Sequence, residues 1–318
     1  MIKYDIIINI HFGGLIMKKS RYQIKYLDLI IVAAICVLGI IFGSVFDLKI
    51  AQKVYNPDSG YGAFFETFGE SIAYARIPLG GTLIFKGAYK NKTLWKKIVG
   101  YAVFVLSLLA CIYFLADSFT FAHNDYGRRR ETVPSYLMAA RITLAFTSLF
   151  FAILSEDNSS YLIQIGAIML VARLGQFVVR KGLKILNARP RYRFIVDPLL
   201  NTDGIAFRSW WQFRFQGFSI PDSFKSWPSG HTATAAQLLL LPLIHPALKW
   251  QRKKGRDVLF FVSLAIALII AFSRRVYGAH FLSDVSFGLF VGAFCAYLVC
   301  QVRFLLFGKK KAIEEQKA

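Results

Sequence analysis

The sequence predicts an all-α fold, a polytopic membrane helical bundle, on three observations. Hydrophobic residues make up 56% of the chain and aromatics 16%, with a mean hydropathy of +0.47, which excludes an ordinary soluble globular protein. Apolar runs long enough to cross a bilayer recur along the whole chain. Between those runs lie clusters of lysine and arginine, as expected of loops at a membrane surface.

Taken in order, the runs predict spanning helices over 27–46, 67–87, 98–117, 137–155, 160–181, 232–248, 257–273 and 282–306. The second is the least regular, because Glu70 and Arg76 interrupt it and a charge in lipid costs about 2.5–3.5 kcal/mol on insertion scales unless it is buried against partners. Between the fifth and sixth helices, residues 182–227 form the longest loop. It mixes arginine with Tyr192, Phe194, Phe207, Trp210, Trp211 and Trp227, the composition of a belt at headgroup level and a candidate access path for a lipid.

Net charge is +21. The basic residues cluster between apolar runs, so they are assigned to topology and anionic lipid rather than to nucleic acid. Counting from a cytoplasmic N-terminus, Lys18 to Lys25, Lys86 to Lys97, Lys249 to Arg256 and Lys309 to Lys311 fall inside. The opposite side receives 47–66, 118–136, 182–231 and 274–281, where Arg128 to Arg130 and Lys184 to Arg193 depart from the charge rule. Cys36, Cys111, Cys295 and Cys300 all sit in apolar runs without zinc-type spacing, and are read as inert. Met17-Lys18-Lys19-Ser20 looks like a natural start, so residues 1–16 are expected to lie outside the native protein.

Three polar stretches stand at predicted helix ends on one face. Ser273 to Asp284 follows an apolar run and carries Arg274, Arg275, His280 and Asp284; with helix from His280 onward, Asp284 sits one turn away and would orient the imidazole. Pro228-Ser229-Gly230-His231 opens the sixth predicted long helix, where free backbone N–H groups and the helix dipole form a phosphate seat that Gly230 leaves open. The basic stretch Arg180 to Arg193 closes the fifth. Together they supply cations and amides suited to a phosphoryl group, and two histidines suited to a nucleophile and an acid.

These stretches resemble the three-part signature K-x6-R-P, P-S-G-H and S-R-x5-H-x3-D of the type 2 phosphatidic acid phosphatase superfamily, which includes undecaprenyl-pyrophosphate and phosphatidylglycerophosphate phosphatases. The second part matches in full at Pro228 to His231, and the third at Ser273, Arg274, His280 and Asp284. The first departs from the pattern: Lys184 and Arg191 keep the spacing with Tyr192 in place of proline, while Lys181 with Arg189-Pro190 is the alternative.

The resemblance implies that His280 attacks phosphorus and forms a phosphohistidine, that Asp284 orients it, and that His231 protonates the leaving oxygen. Lys184, Arg191, Arg274, Ser229 and Gly230 would hold the phosphoryl oxygens, with no metal and no cofactor. It also implies a six-helix phosphatase core over 98–306, after an N-terminal tail (1–26) and additional helices (27–97), and before a basic tail (307–318). The expected activity is hydrolysis of a lipid phosphate or pyrophosphate at the extracytoplasmic face of the cell membrane. Undecaprenyl pyrophosphate is favoured over phosphatidylglycerophosphate and phosphatidic acid, and a lipid phosphotransferase would use the same intermediate. From another class, a headgroup-binding protein or transporter would use the basic patch without needing both histidines and Asp284. Arg173 and Gln176, on the fifth predicted helix, are read as buried polar glue, and His245 as structural.

Overall fold

A computed structural model describes residues 25–125, 132–155 and 158–317, which form an all-α bundle. The helices are α1 (Tyr26–Val54), α2 (Gly60–Tyr74), α3 (Arg76–Tyr89), α4 (Leu94–Asp125), α5 (Thr132–Ile153), α6 (Ser159–Asn187), α7 (Tyr192–Val196), α8 (Gly230–Ala236), α9 (Gly255–Val276) and α10 (Leu282–Lys317). Residues 1–16 and Arg128 to Arg130, named above, lie outside the described residues.

Among the described residues, six segments are long and apolar enough to cross a membrane: Leu27–Val54, Leu94–Thr120, Pro134–Ile153, Ser159–Val196, Gly255–Val276 and Leu282–Val302. The other two of the eight expected spans take a different form. The expected helix over 67–87 is broken at Ala75 into α2 and α3, and α3 is buried almost throughout between α4, α5 and α6. The expected helix over 232–248 is α8 followed by a 3-10 stretch, Gln237–Ala247, that contains Pro242 and Pro246. Proline removes a donor and collides with the preceding turn, so a regular α-helix cannot run through it. Both segments are interior to the bundle, where helix neighbours shelter charges that lipid would not accept.

α10 is the central helix, packed against α1, α6 and α8, while α1 turns Val37, Leu38, Ile41 and Phe42 outward. At one end Lys25 pairs with Asp257 at 2.5 Å, and Arg256 pairs with Asp28. Lys86, assigned above to a basic loop, is instead buried in α3 and donates to the carbonyls of Phe151 and Leu154 at 3.1 and 2.9 Å. It satisfies the orphan carbonyls at the end of α5. The cysteines are free and buried.

The opposite end carries the three polar stretches. α6 runs to Asn187, six residues past its expected end, so Lys184 lies in its last turn. Ala188 then adopts a left-handed conformation (φ 44°) that turns the chain into Arg189-Pro190-Arg191. The Arg191 amide donates to the Ser223 carbonyl at 2.8 Å, and the Ser226 amide to the Arg189 carbonyl at 3.0 Å. These bonds lace the first stretch to the residues that precede Pro228. The aromatic loop folds back on the bundle through Trp210, which lies against Phe287 and Trp227 and donates to Ser44 Oγ, while Phe218 is 85% exposed.

Candidate active site

The site begins with how α9 ends. Tyr277 caps the helix and Gly278 takes φ 64°, a left-handed turn that glycine adopts without strain; a Cβ there would stand 2.6 Å from the Tyr55 ring. The turn brings the amides of Ala279 and His280 onto the Arg274 carbonyl at 3.0 and 3.2 Å. Arg274 and His280 are thereby fixed to each other, which gives the five-residue gap between them a physical cause.

His280 precedes α10 rather than lying within it, and its Nδ1 is 2.5 Å from the Ser226 carbonyl. A carbonyl oxygen only accepts, so Nδ1 carries the proton and Nε2 keeps its lone pair. The expected direct contact with Asp284 is replaced by an indirect one. Asp284 Oδ2 accepts from the Phe281 amide at 2.8 Å and from Ser226 Oγ at 2.5 Å, and Oδ1 accepts from Arg189 at 2.5 Å. As the third residue of α10 it reaches back to the Phe281 amide at the start of the helix, and the same carboxylate holds the serine whose carbonyl holds His280. It acts on the histidine as a positioning residue.

Burial pushes the His280 pKa well below its ordinary value, and the cations of Lys184, Arg191 and Arg274 push it the same way. The ring is therefore neutral at neutral pH. His231, in the first turn of α8, is half-buried, and its Nε2 is 3.4 Å from the Glu66 carbonyl. Burial lowers its pKa, Glu70 opposes that, and Arg191, Lys184 and Arg180 add to it.

The cations converge from three elements. Lys184 Nζ donates to the Lys225 carbonyl at 2.7 Å, and Arg191 pairs with Asp222 at 3.0 Å. Burial alone would raise the Asp222 pKa, but Arg191 and Lys184 outweigh it and hold the carboxylate ionised. Arg274 is fully buried and pairs through Nη1 with Glu66. Its Nε and Nη2 have no hydrogen-bond partner among the described residues. Buried guanidinium donors without partners suit an anion. Ser229 caps α8, accepting from the Thr232 amide and hydroxyl at 3.4 and 3.0 Å. A Cβ at Gly230 would stand 2.6 Å from Arg180 Nη1, so the glycine admits that guanidinium against the start of α8.

Of the two candidate pairs for the first stretch, Lys184 and Arg191 stand among the charges that act on both histidines. Arg189 turns away and is buried between Asp284, Asp47 and Ser283, and Lys181 lies against the Phe177 ring. Asp47 of α1, Glu66 of α2, Asp222 and Ser226 are not expected at the site from sequence; Arg180 and Arg193 are named there only as the ends of the basic stretch, and Glu70 only as a break in an apolar run. Glu66 pairs with both Arg274 and Arg193, the latter at 3.5 Å. Glu70 had a usable signal, a charge interrupting an apolar run. A groove of about 430 Å³ lined by Pro190, Phe207, Arg208 and Phe224 lies beside the site on the aromatic loop, and neither histidine lines it.

Residues 161–307 match the PAP2 superfamily. The match covers a little under half of the chain, from the first turn of α6 into α10, and takes in all three polar stretches. Neither the search of curated proteins nor that of solved structures found a match.

Proposed function

We propose that the chain is an integral membrane phosphatase that hydrolyses a lipid phosphate ester, on the reading of residues 161–307 as a phosphatase-like PAP2 domain. One observation carries the mechanism. The His280 ring is buried and neutral, with Nδ1–H bonded to the Ser226 carbonyl, so that Nε2 is the nucleophilic atom among Lys184, Arg191 and Arg274.

In the first step Nε2 attacks phosphorus, a P–N bond forms and the ester P–O bond breaks. The leaving oxygen takes a proton from His231, and the alcohol or lipid phosphate departs. The phosphoryl oxygens lie against Lys184, Arg191 and the free Nε and Nη2 donors of Arg274, with Ser229 and the Gly230 amide at the start of α8. In the second step neutral His231 takes a proton from water, the oxygen attacks phosphorus, and the P–N bond breaks to release phosphate. Asp284 and Ser226 keep the His280 ring in one orientation throughout.

Among lipid phosphates we favour undecaprenyl pyrophosphate, with the site on the extracytoplasmic face. That orientation follows the basic runs on the other side of the bundle, and the substrate follows the orientation. The test is phosphate release by detergent-purified protein from undecaprenyl pyrophosphate, phosphatidylglycerophosphate and phosphatidic acid, each with a chelator present. The expected result is release that survives the chelator and drops at least about a thousandfold in His280→Ala, the scale on which loss of a covalent nucleophile acts. Release that persists in His280→Ala removes the mechanism; strict dependence on added metal removes the proposed site chemistry.

A further inference from the structure

The polar residues do not stop at the histidines. On α6, Lys184, Arg180, Gln176 and Arg173 recur at helical spacing along one face, so Arg173 lies about 16 Å along the helix from Lys184 at 1.5 Å per residue. On α8 and its extension, His231, Thr234 and Gln237 recur in the same way, and Thr234 Oγ1 is buried without a hydrogen-bond partner. The two rows converge on Arg76 at the start of α3: Arg76 Nη1 donates to Gln237 Oε1 at 2.6 Å, and Arg173 is close enough for its charge to act on that of Arg76.

This inner cluster is buried, with relative exposures of 2% for Arg76, 6% for Arg173 and 0% for Gln176 and Gln237. Each arginine spends one nitrogen on a glutamine, Arg173 Nη1 donating to Gln176 Oε1 at 2.7 Å. The Nε–H and the Nη2 hydrogens of both, and the Gln176 amide nitrogen, have no partner among the described residues. Among the described residues neither arginine forms an ion pair with a carboxylate; the acid that acts on Arg173 is Glu70, which Tyr74 already bonds at 2.9 Å and which also serves Arg180 and His231. Aromatic rings of Tyr74, Phe114 and Phe177 surround Arg173 at 5.2, 4.8 and 5.6 Å. Packing of this kind explains the stem and one face of the guanidinium, but not its unmatched donors. Two buried cations with donors left over form the complement of a phosphate-type oxyanion, since each guanidinium presents a planar fork of N–H groups.

We infer that Arg76, Arg173 and Gln176 form a second anion-binding site, inside the bundle and separate from the histidine site, that takes one phosphate-type oxyanion. The proposal does not rest on the catalytic reading above. Free orthophosphate and the acidic headgroup of a lipid offer the same chemistry, and the test separates them. Full-length protein in detergent is dialysed to equilibrium against radiolabelled orthophosphate, with and without dihexanoyl phosphatidylglycerol, a phosphodiester that a monoesterase leaves intact. Arg274→Ala, which disables the outer site, is expected to retain one bound anion.

Arg173→Gln and Gln176→Glu, each added to Arg274→Ala, are expected to weaken that binding at least about tenfold, the loss typical of a charged hydrogen bond. Gln176→Glu supplies Arg173 with a carboxylate of nearly the same shape, so it keeps the fold even where removing Arg173 does not. Displacement of orthophosphate by the diester assigns the site to a headgroup, and indifference assigns it to free phosphate. If Arg274→Ala binds neither ligand the proposal is overturned, as it is if binding is unchanged in Gln176→Glu.

Discussion

The two histidines differ in what surrounds them, and the difference sets a pH dependence. For turnover His280 must be neutral and His231 protonated. Burial and three cations hold the His280 pKa well below its ordinary value, and burial lowers that of His231 from 6.5 with Glu70 opposing. Activity therefore rises as His280 loses its proton, far on the acid side, and falls as His231 loses its own below 6.5. Glu70 favours the protonated form of His231, so its removal lowers that pKa further. Glu70→Gln is expected to move the falling limb of kcat/KM to lower pH. Comparing the variant with the parent chain on one short-chain substrate cancels the substrate's own titration; a limb that stays in place or moves up contradicts the assignment of His231 as the acid. The residues of this site were unequally legible. Arg274, His280, Asp284 and Pro228 to His231 stand at fixed spacings because helix ends and one glycine turn set them. Asp47, Glu66 and Glu70 come from helices remote in sequence, and only packing brings them to the site.

At the scale of elements, the ends of helices do the positioning. Gly278 terminates α9 and carries His280 onto the Arg274 carbonyl in one turn. Gly278→Ala places a methyl 2.6 Å from the Tyr55 ring and a side chain in the left-handed region, at a cost of about 1–3 kcal/mol for the backbone alone. The expected outcome is a lower Tm in detergent with a larger proportional loss of kcat than of substrate affinity, because the turn aims the nucleophile. Equal losses in both would assign the glycine to stability only. Sequence pattern located the middle of each long helix, since lipid-facing runs such as α1 and α4 are apolar nearly all round, but α1 runs eight residues and α6 six past their expected ends. It failed where a segment is surrounded by protein. α2 with α3 carries charges that neighbours shelter, and the stretch after α8 carries prolines that force a 3-10 form, so neither has the uniform apolar signal of a lipid-exposed helix.

Across the whole molecule, the matched segment is completed by helices that precede it. Asp47 of α1 accepts from the Ser283 amide and from Arg189 Nη2, each at 3.0 Å, and Arg189 in turn bonds Asp284. A continuous set of contacts thus runs from α1 through Arg189, Asp284 and Ser226 to His280, with Arg189 also stacked 4.2 Å from the Phe281 ring. Arg189 is wholly buried between two carboxylates, so removing one leaves a charge imbalance that solvent cannot relieve. Breaking a buried pair by deleting one partner typically costs about 3–5 kcal/mol. Asp47→Ala is expected to lower Tm by several degrees and to reduce phosphate release, although Asp47 touches no reacting atom in the proposed mechanism. Asp47→Asn keeps an acceptor for the Ser283 amide and is expected to recover part of the stability but less of the activity, since the charge balance that fixes Arg189 against Asp284 remains broken. Should Asp47→Ala lose stability while the activity of its folded fraction is unchanged, α1 would serve as a brace for α10 and not as part of the support of His280.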